Sequence, residues 1–137
     1  MEIKTIIFGY ILTLIVFLIV DLLWLGVVAR GIYSKYLGDF LSDQVNWTAA
    51  IVFYMIFVAG VMLFVVYPSV EKDSFVNVLI MGALFGIVTY ATYDLTNLAT
   101  LKGWPIQIVI IDIIWGAVLS AIVSASGFFI LKYLLSN

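Results

Sequence analysis

Three aspartates, Asp21, Asp94 and Asp112, stand inside otherwise apolar stretches of the chain. A charged side chain at the centre of a membrane helix costs roughly 2.5 to 3.5 kcal/mol on insertion scales, so such residues face a protein interior or a wet cavity. Two carboxyls brought within a few ångströms do not both ionise comfortably, and the pair then holds a proton that it can give or take. That is the equipment of a general acid and base, sufficient for hydrolysis or isomerisation without cysteine, histidine or metal. The sequence has no cysteine and no histidine, which excludes disulfides, thiolate metal sites, imidazole relays and Cys/His nucleophilic pairs. A metal held by Asp21, Asp94, Asp112 and Asn97 would be hard and oxygen-loving, such as magnesium or calcium. Nothing in the spacing calls for one, so no metal and no cofactor is expected.

The elements that must position these acids follow from composition. With 66% hydrophobic and 10% charged residues, the chain lies far above the roughly 45 to 50% apolar content of soluble domains. It reads as an integral membrane protein of the all-α class, a bundle of four transmembrane helices. Four spans of about 20 residues with their connections consume most of the chain, leaving one domain and no separate soluble module. The spans are expected at residues 5–29, 47–67, 75–95 and 105–133. The first apolar run is too long for a signal segment and has no clear small-residue cleavage pattern, so it reads as a retained helix. Pro68 marks the end of span two, and Pro105 suits the first turn of span four. Between spans one and two, Tyr33, Tyr36, Leu37, Phe40 and Leu41 recur at helical spacing, with Ser34, Lys35, Asp39, Ser42 and Asp43 between them. This predicts a short interfacial helix over residues 32–45; the alternative is a lid over whatever the aspartates bind.

Two stripes of small residues lead to the acids. Gly82, Gly86, Tyr90 and Asp94 fall at i+4 steps on span three, and Asp112, Gly116, Ser120 and Ser124 do so on span four. Small residues at this spacing let helices approach closely. Four spans with short connections alternate in direction, so the ends of spans one and three and the start of span four share one membrane face. Asp112 lies roughly seven residues, or about 10 Å, into span four. The three aspartates therefore converge on one side. Asp94 and Asp112 are the candidate acid/base pair, Asp21 a third carboxylate, and Trp24, Tyr90, Tyr93, Asn97, Trp104, Trp115 and Arg30 the candidate binding residues. In a purely structural alternative, Arg30 or Lys102 neutralises one of the acids. Span one also carries Asp21-Leu22-Leu23-Trp24 and span four Asp112-Ile113-Ile114-Trp115, a shared Asp-x-x-Trp pattern.

The Asp21-x-x-Trp24-Leu25-Gly26-Val27-Val28-Ala29 segment, the Phe53-Tyr54 pair, Gly82 through Gly86, the Tyr90-Ala91-Thr92-Tyr93-Asp94-Leu95-Thr96-Asn97 run, Trp104-Pro105 and Asp112-x-x-Trp115-Gly116 together resemble the prokaryotic membrane-protein family catalogued as domain of unknown function 2177, DUF2177. The resemblance covers almost the full chain and implies a four-span inner-membrane protein; it brings no activity, substrate or cofactor.

The residues themselves point first to a one-sided, acidic, aromatic-lined pocket that binds an apolar or lipidic small molecule or transforms it by acid/base chemistry. A second reading is a small proton-coupled transporter acting as a homodimer. The third is a structural or assembly subunit of a membrane complex, so whether the protein is an enzyme stays open at this point. The lipid bilayer is the expected environment. A net charge of −2 in scattered residues gives no nucleic-acid surface. Lys4, Lys72 and Lys132 balance Arg30, Lys35 and Lys102 across the membrane, so the positive-inside rule sets no orientation; the even span count favours cytoplasmic termini.

Overall fold

The computed structural model describes residues 1–136. Four helices long and apolar enough to cross a membrane run over Ile3–Val28, Trp47–Glu71, Phe75–Thr100 and Ile106–Ser136. No strand occurs among the described residues. The first span is α1 (Ile3–Leu23), prolonged by a π turn over Trp24–Val28. After Ala29, a short helix α2 (Arg30–Leu37) and a 3₁₀ turn (Gly38–Phe40) follow. The expected connector of 32–45 is thus shorter in its helical part. Beyond it, Ser42 bonds locally to Gln44, the kind of side-chain bond that competes with helix. The apolar side of α2 turns onto the fourth span, where Leu37 is buried with Trp104, Ile108 and Val109.

The second span begins at α3 (Trp47–Val61), whose first turn is capped by the Asn46 side chain accepting the Ala49 N–H at 3.0 Å. A π turn (Met62–Val66) leads into α4 (Tyr67–Glu71), so the helix passes Pro68 instead of ending there. Proline removes one N–H and crowds the carbonyl four residues back. The wider π turn re-spaces the carbonyls just ahead of it, which relieves that clash. The third span, α5 (Phe75–Thr100), starts at a Ser74 cap on the Asn77 N–H at 3.2 Å. The fourth, α6 (Ile106–Ser136), follows Pro105.

Helix α6 is the hub, with α5 on one flank, α1 on the other, and the second span's π turn packed against it. Phe17, Phe57, Val61, Met62, Leu119, Val123 and Leu131 form the buried centre. Side chains such as Ile19, Ile56, Val88 and Ile114 are exposed, as a bundle surrounded by lipid requires. The one ion pair among the described residues joins the exposed Lys132 and Asp73, far in sequence from the three aspartates; pairs of this kind contribute little.

The two small-residue stripes meet in antiparallel register, and that register is what positions the acids. A methyl group on Gly82 would come 2.9 Å from Ser124 Cβ, and one on Gly86 would come 2.8 Å from Ser120 Cβ. On the next rung a methyl on Gly116 would come 2.8 Å from Tyr90 Cβ. The large Tyr90 thus sits where the opposing helix has no side chain. One helical step further, the rung is Asp94 and Asp112. Elsewhere the bundle is less closed. Spans two and three touch near the turn that joins them, through Met62–Val66 and α4, and diverge toward the acid end. There the rings of Phe85 and Tyr90 reach across to Phe57, with centroids 5.6 and 6.3 Å apart.

Candidate functional site

Asp94 is completely buried and faces the Asp112 carboxyl and the Trp104 indole. Neither Asp94 oxygen makes a hydrogen bond, and the Trp104 Nε1–H is likewise without a bonded partner. Asp112 is better supported. It accepts the Tyr33 hydroxyl at 2.5 Å, and the Tyr33 oxygen accepts the Trp24 Nε1–H at 3.2 Å. Burial, and then donation to Asp112, holds the Tyr33 phenol well above its ordinary range, so this hydroxyl remains a donor at any physiological pH.

Asp21 approaches from the first span, with the Trp115 indole and the Tyr54 hydroxyl beside its carboxyl. Trp24 and Trp115 stack almost in parallel, 4.2 Å apart at 8°. The repeated Asp-x-x-Trp segments are therefore crossed. Asp21 lies against the tryptophan of span four, while Asp112 connects through Tyr33 to the tryptophan of span one.

Asp21 and Asp112 share the wall of a cavity of about 300 Å³, which Trp24, Tyr33, Tyr54 and Trp115 also line. A second cavity of about 310 Å³ adjoins it, lined by Phe53, Thr89, Tyr90, Tyr93 and Asp112. Phe53, Tyr90, Tyr93 and Asp112 belong to both. Phe53 comes from span two and Thr89 from span three, so this lobe occupies the divergence between those spans. Asp112 is the carboxyl on the wall of both cavities.

Of the residues singled out from sequence, Trp24, Tyr90, Tyr93 and Trp115 line the cavities. Trp104 stands behind the acid pair, with the rings of Phe40 and Tyr93 against it edge-on at 5.3 and 6.0 Å. Asn97 lies beside Tyr93. Arg30 and Lys102 are exposed, and among the described residues neither forms an ion pair. None of the three acids is in an ion pair among the described residues. Nor do they close on one point: no group of three acidic side chains among the described residues is near enough to share an ion. Tyr33 and Tyr54 were not singled out as site residues. Tyr54 was marked by being one of the few polar groups in an apolar span; Tyr33 carried no such signal, because its role arises from a contact 79 positions away.

Tyr33→Phe isolates the hydroxyl. It is expected to lower stability by about 1 to 2 kcal/mol through the lost bond to Asp112. Amide exchange across α2 should then quicken about tenfold, with α5 and α6 unchanged; hydrogen-exchange mass spectrometry of both proteins checks this.

A family model described as a predicted membrane protein, DUF2177, matches residues 6–129. No curated protein and no solved structure matches the chain.

Proposed function

We propose, for a chain that belongs to the DUF2177 family of predicted membrane proteins, that it takes an apolar or lipidic small molecule from the bilayer and acts on it by acid/base chemistry at Asp94 and Asp112. The observation that carries this reading is the buried Asp94–Asp112 pair, without an ion-paired cation among the described residues, with Asp112 on the wall of a cavity lined from spans two, three and four. A carboxyl that gives a proton beside a carboxylate that accepts one is a complete acid/base couple. The aromatic walls supply the apolar contact area that small-molecule sites use, with few polar groups to fix orientation. Asp21 is the third carboxylate of this reading, on the wall of the adjoining chamber. A location in the prokaryotic inner membrane accompanies the proposal.

Infrared difference spectroscopy of the purified protein tests it. The pair is expected to show a protonated-carboxyl band at neutral pH that disappears in Asp94→Asn or Asp112→Asn while both variants remain folded. Three carboxylates that titrate like solvated groups, with variants that merely lose stability, would leave the aspartates as supports and favour a structural subunit.

A further inference from the structure

We infer that the molecule received by this pocket carries an ammonium group on an apolar chain, with the ammonium in the chamber bounded by Asp21 and Asp112 and the chain leaving between spans two and three. The inference rests on the pocket reading above and specifies its ligand class.

Charge is the first argument. Two buried carboxyls, Asp21 and Asp112, line the chamber and a third, Asp94, stands against Asp112 outside it; among the described residues no lysine or arginine pairs with them. Asp94, fully buried against Asp112, has both oxygens without a hydrogen bond. An unpaired carboxylate in such surroundings is strongly disfavoured until a positive group meets it. The Trp115 Nε1–H, on the chamber wall, is also unpartnered, but it can serve only an acceptor. The wall therefore asks for a cation from outside the chain: it sets two carboxyls, Asp21 and Asp112, against one unpartnered donor.

The second argument is the lining. Trp24, Tyr33, Tyr54 and Trp115 line the chamber, the two indoles stacked on each other. Aromatic faces together with carboxylates are how proteins hold quaternary and protonated amines, because the ring quadrupole attracts the cation and the ring excludes water. The third argument is shape. The adjoining lobe has almost no polar surface-forming residue besides Asp112 and Thr89 and lies between spans that have diverged. A headgroup in one lobe and a chain in the other meet at Asp112, the one carboxyl that lines both.

Isothermal titration calorimetry on the full-length protein in dodecyl maltoside micelles decides the matter with three probes of equal chain length: hexadecyltrimethylammonium, hexadecanol and hexadecyl sulfate. The cation is expected to bind saturably and about tenfold or more tighter than the alcohol, with the sulfate weakest. Asp21→Asn and Asp112→Asn should each erase that preference, the cation binding no more tightly than the alcohol. Equal binding of cation and alcohol, or a preference for the sulfate, overturns the ammonium assignment. If the alcohol still binds and a tryptophan at Ala50, which lines the chamber, abolishes that binding (Ala50→Trp), the lipid-pocket reading survives that failure. If no probe binds saturably, the pocket reading fails as well. The comparison of probes on the unmodified protein stands whether or not any variant folds.

Discussion

Gly86→Leu is expected to separate spans three and four and to unfold the protein at temperatures where the unmodified chain is stable. A Cβ at Gly86 would overlap the backbone carbonyl of Gly116 outright and would sit 2.8 Å from Ser120 Cβ. Backbone does not yield as the end of a flexible side chain does, so the helices themselves must part. Inserting one methyl into a packed interface commonly costs about 1 to 3 kcal/mol. Gly86→Ala should fall at the upper end of that range and the leucine variant beyond it. Gly26→Ala is the control, because nothing lies within 4 Å of a methyl there; its stability should stay within about 0.5 kcal/mol of the parent. Thermal unfolding in detergent, followed by circular dichroism, measures all three. The same substitution has a functional consequence. Rungs at Gly82, Gly86 and Tyr90 set the rung at Asp94, so a displaced helix pair also loses the acid pair. A folded Gly86→Leu protein with an intact infrared carboxyl signature would show that the register is not what brings Asp94 to Asp112.

The second large effect is of opposite sign. Asp94→Asn is expected to raise stability by about 1 kcal/mol or more while abolishing acid/base activity. Asp94 is buried, stands beside a second carboxyl, and has neither oxygen satisfied. Replacing an uncompensated buried acid by a neutral group of the same shape removes the cost of ionising it in these surroundings. The amide also offers an N–H to the Asp112 carboxylate. A group that lowers stability where it stands is one retained for chemistry, whereas a structural support would behave in the reverse way. The same unfolding measurement separates the cases: a loss of stability in Asp94→Asn of the size predicted here as a gain would assign the residue to holding the helices together. Asp112→Asn should gain less, because Asp112 already receives the Tyr33 hydroxyl, and the amide must give up part of that bond.

Much of this arrangement was legible before any coordinates. Apolar length alone gave four spans, because each stretch is long enough to cross roughly 30 Å of hydrocarbon and must satisfy its backbone internally. The paired stripes from Gly82 to Asp94 and from Asp112 to Ser124 were visible as i+4 steps, and short connections placed their acidic ends together. Pro68 misled, because a proline rule written for regular α-helix does not foresee a π turn ahead of it. The connector's apolar spacing continues past Gly38, but its helical part stops at Phe40, and beyond it Ser42 bonds locally to Gln44.

What sequence by itself determined is the class of structure and the side of the bundle on which the aspartates lie, since span length, direction and i+4 spacing are one-dimensional properties. Tertiary structure decided which groups touch. Only packing could show that Arg30 and Lys102 stay outside, that Trp24 stacks on Trp115, that Tyr33 reaches Asp112, and that spans two and three diverge to open a cavity at their acidic end. These depend on which helices become neighbours and at what register. That choice rests on the close fit of Gly86 to the Gly116 backbone and of Tyr90 into the space beside Gly116, contacts between residues far apart in the chain.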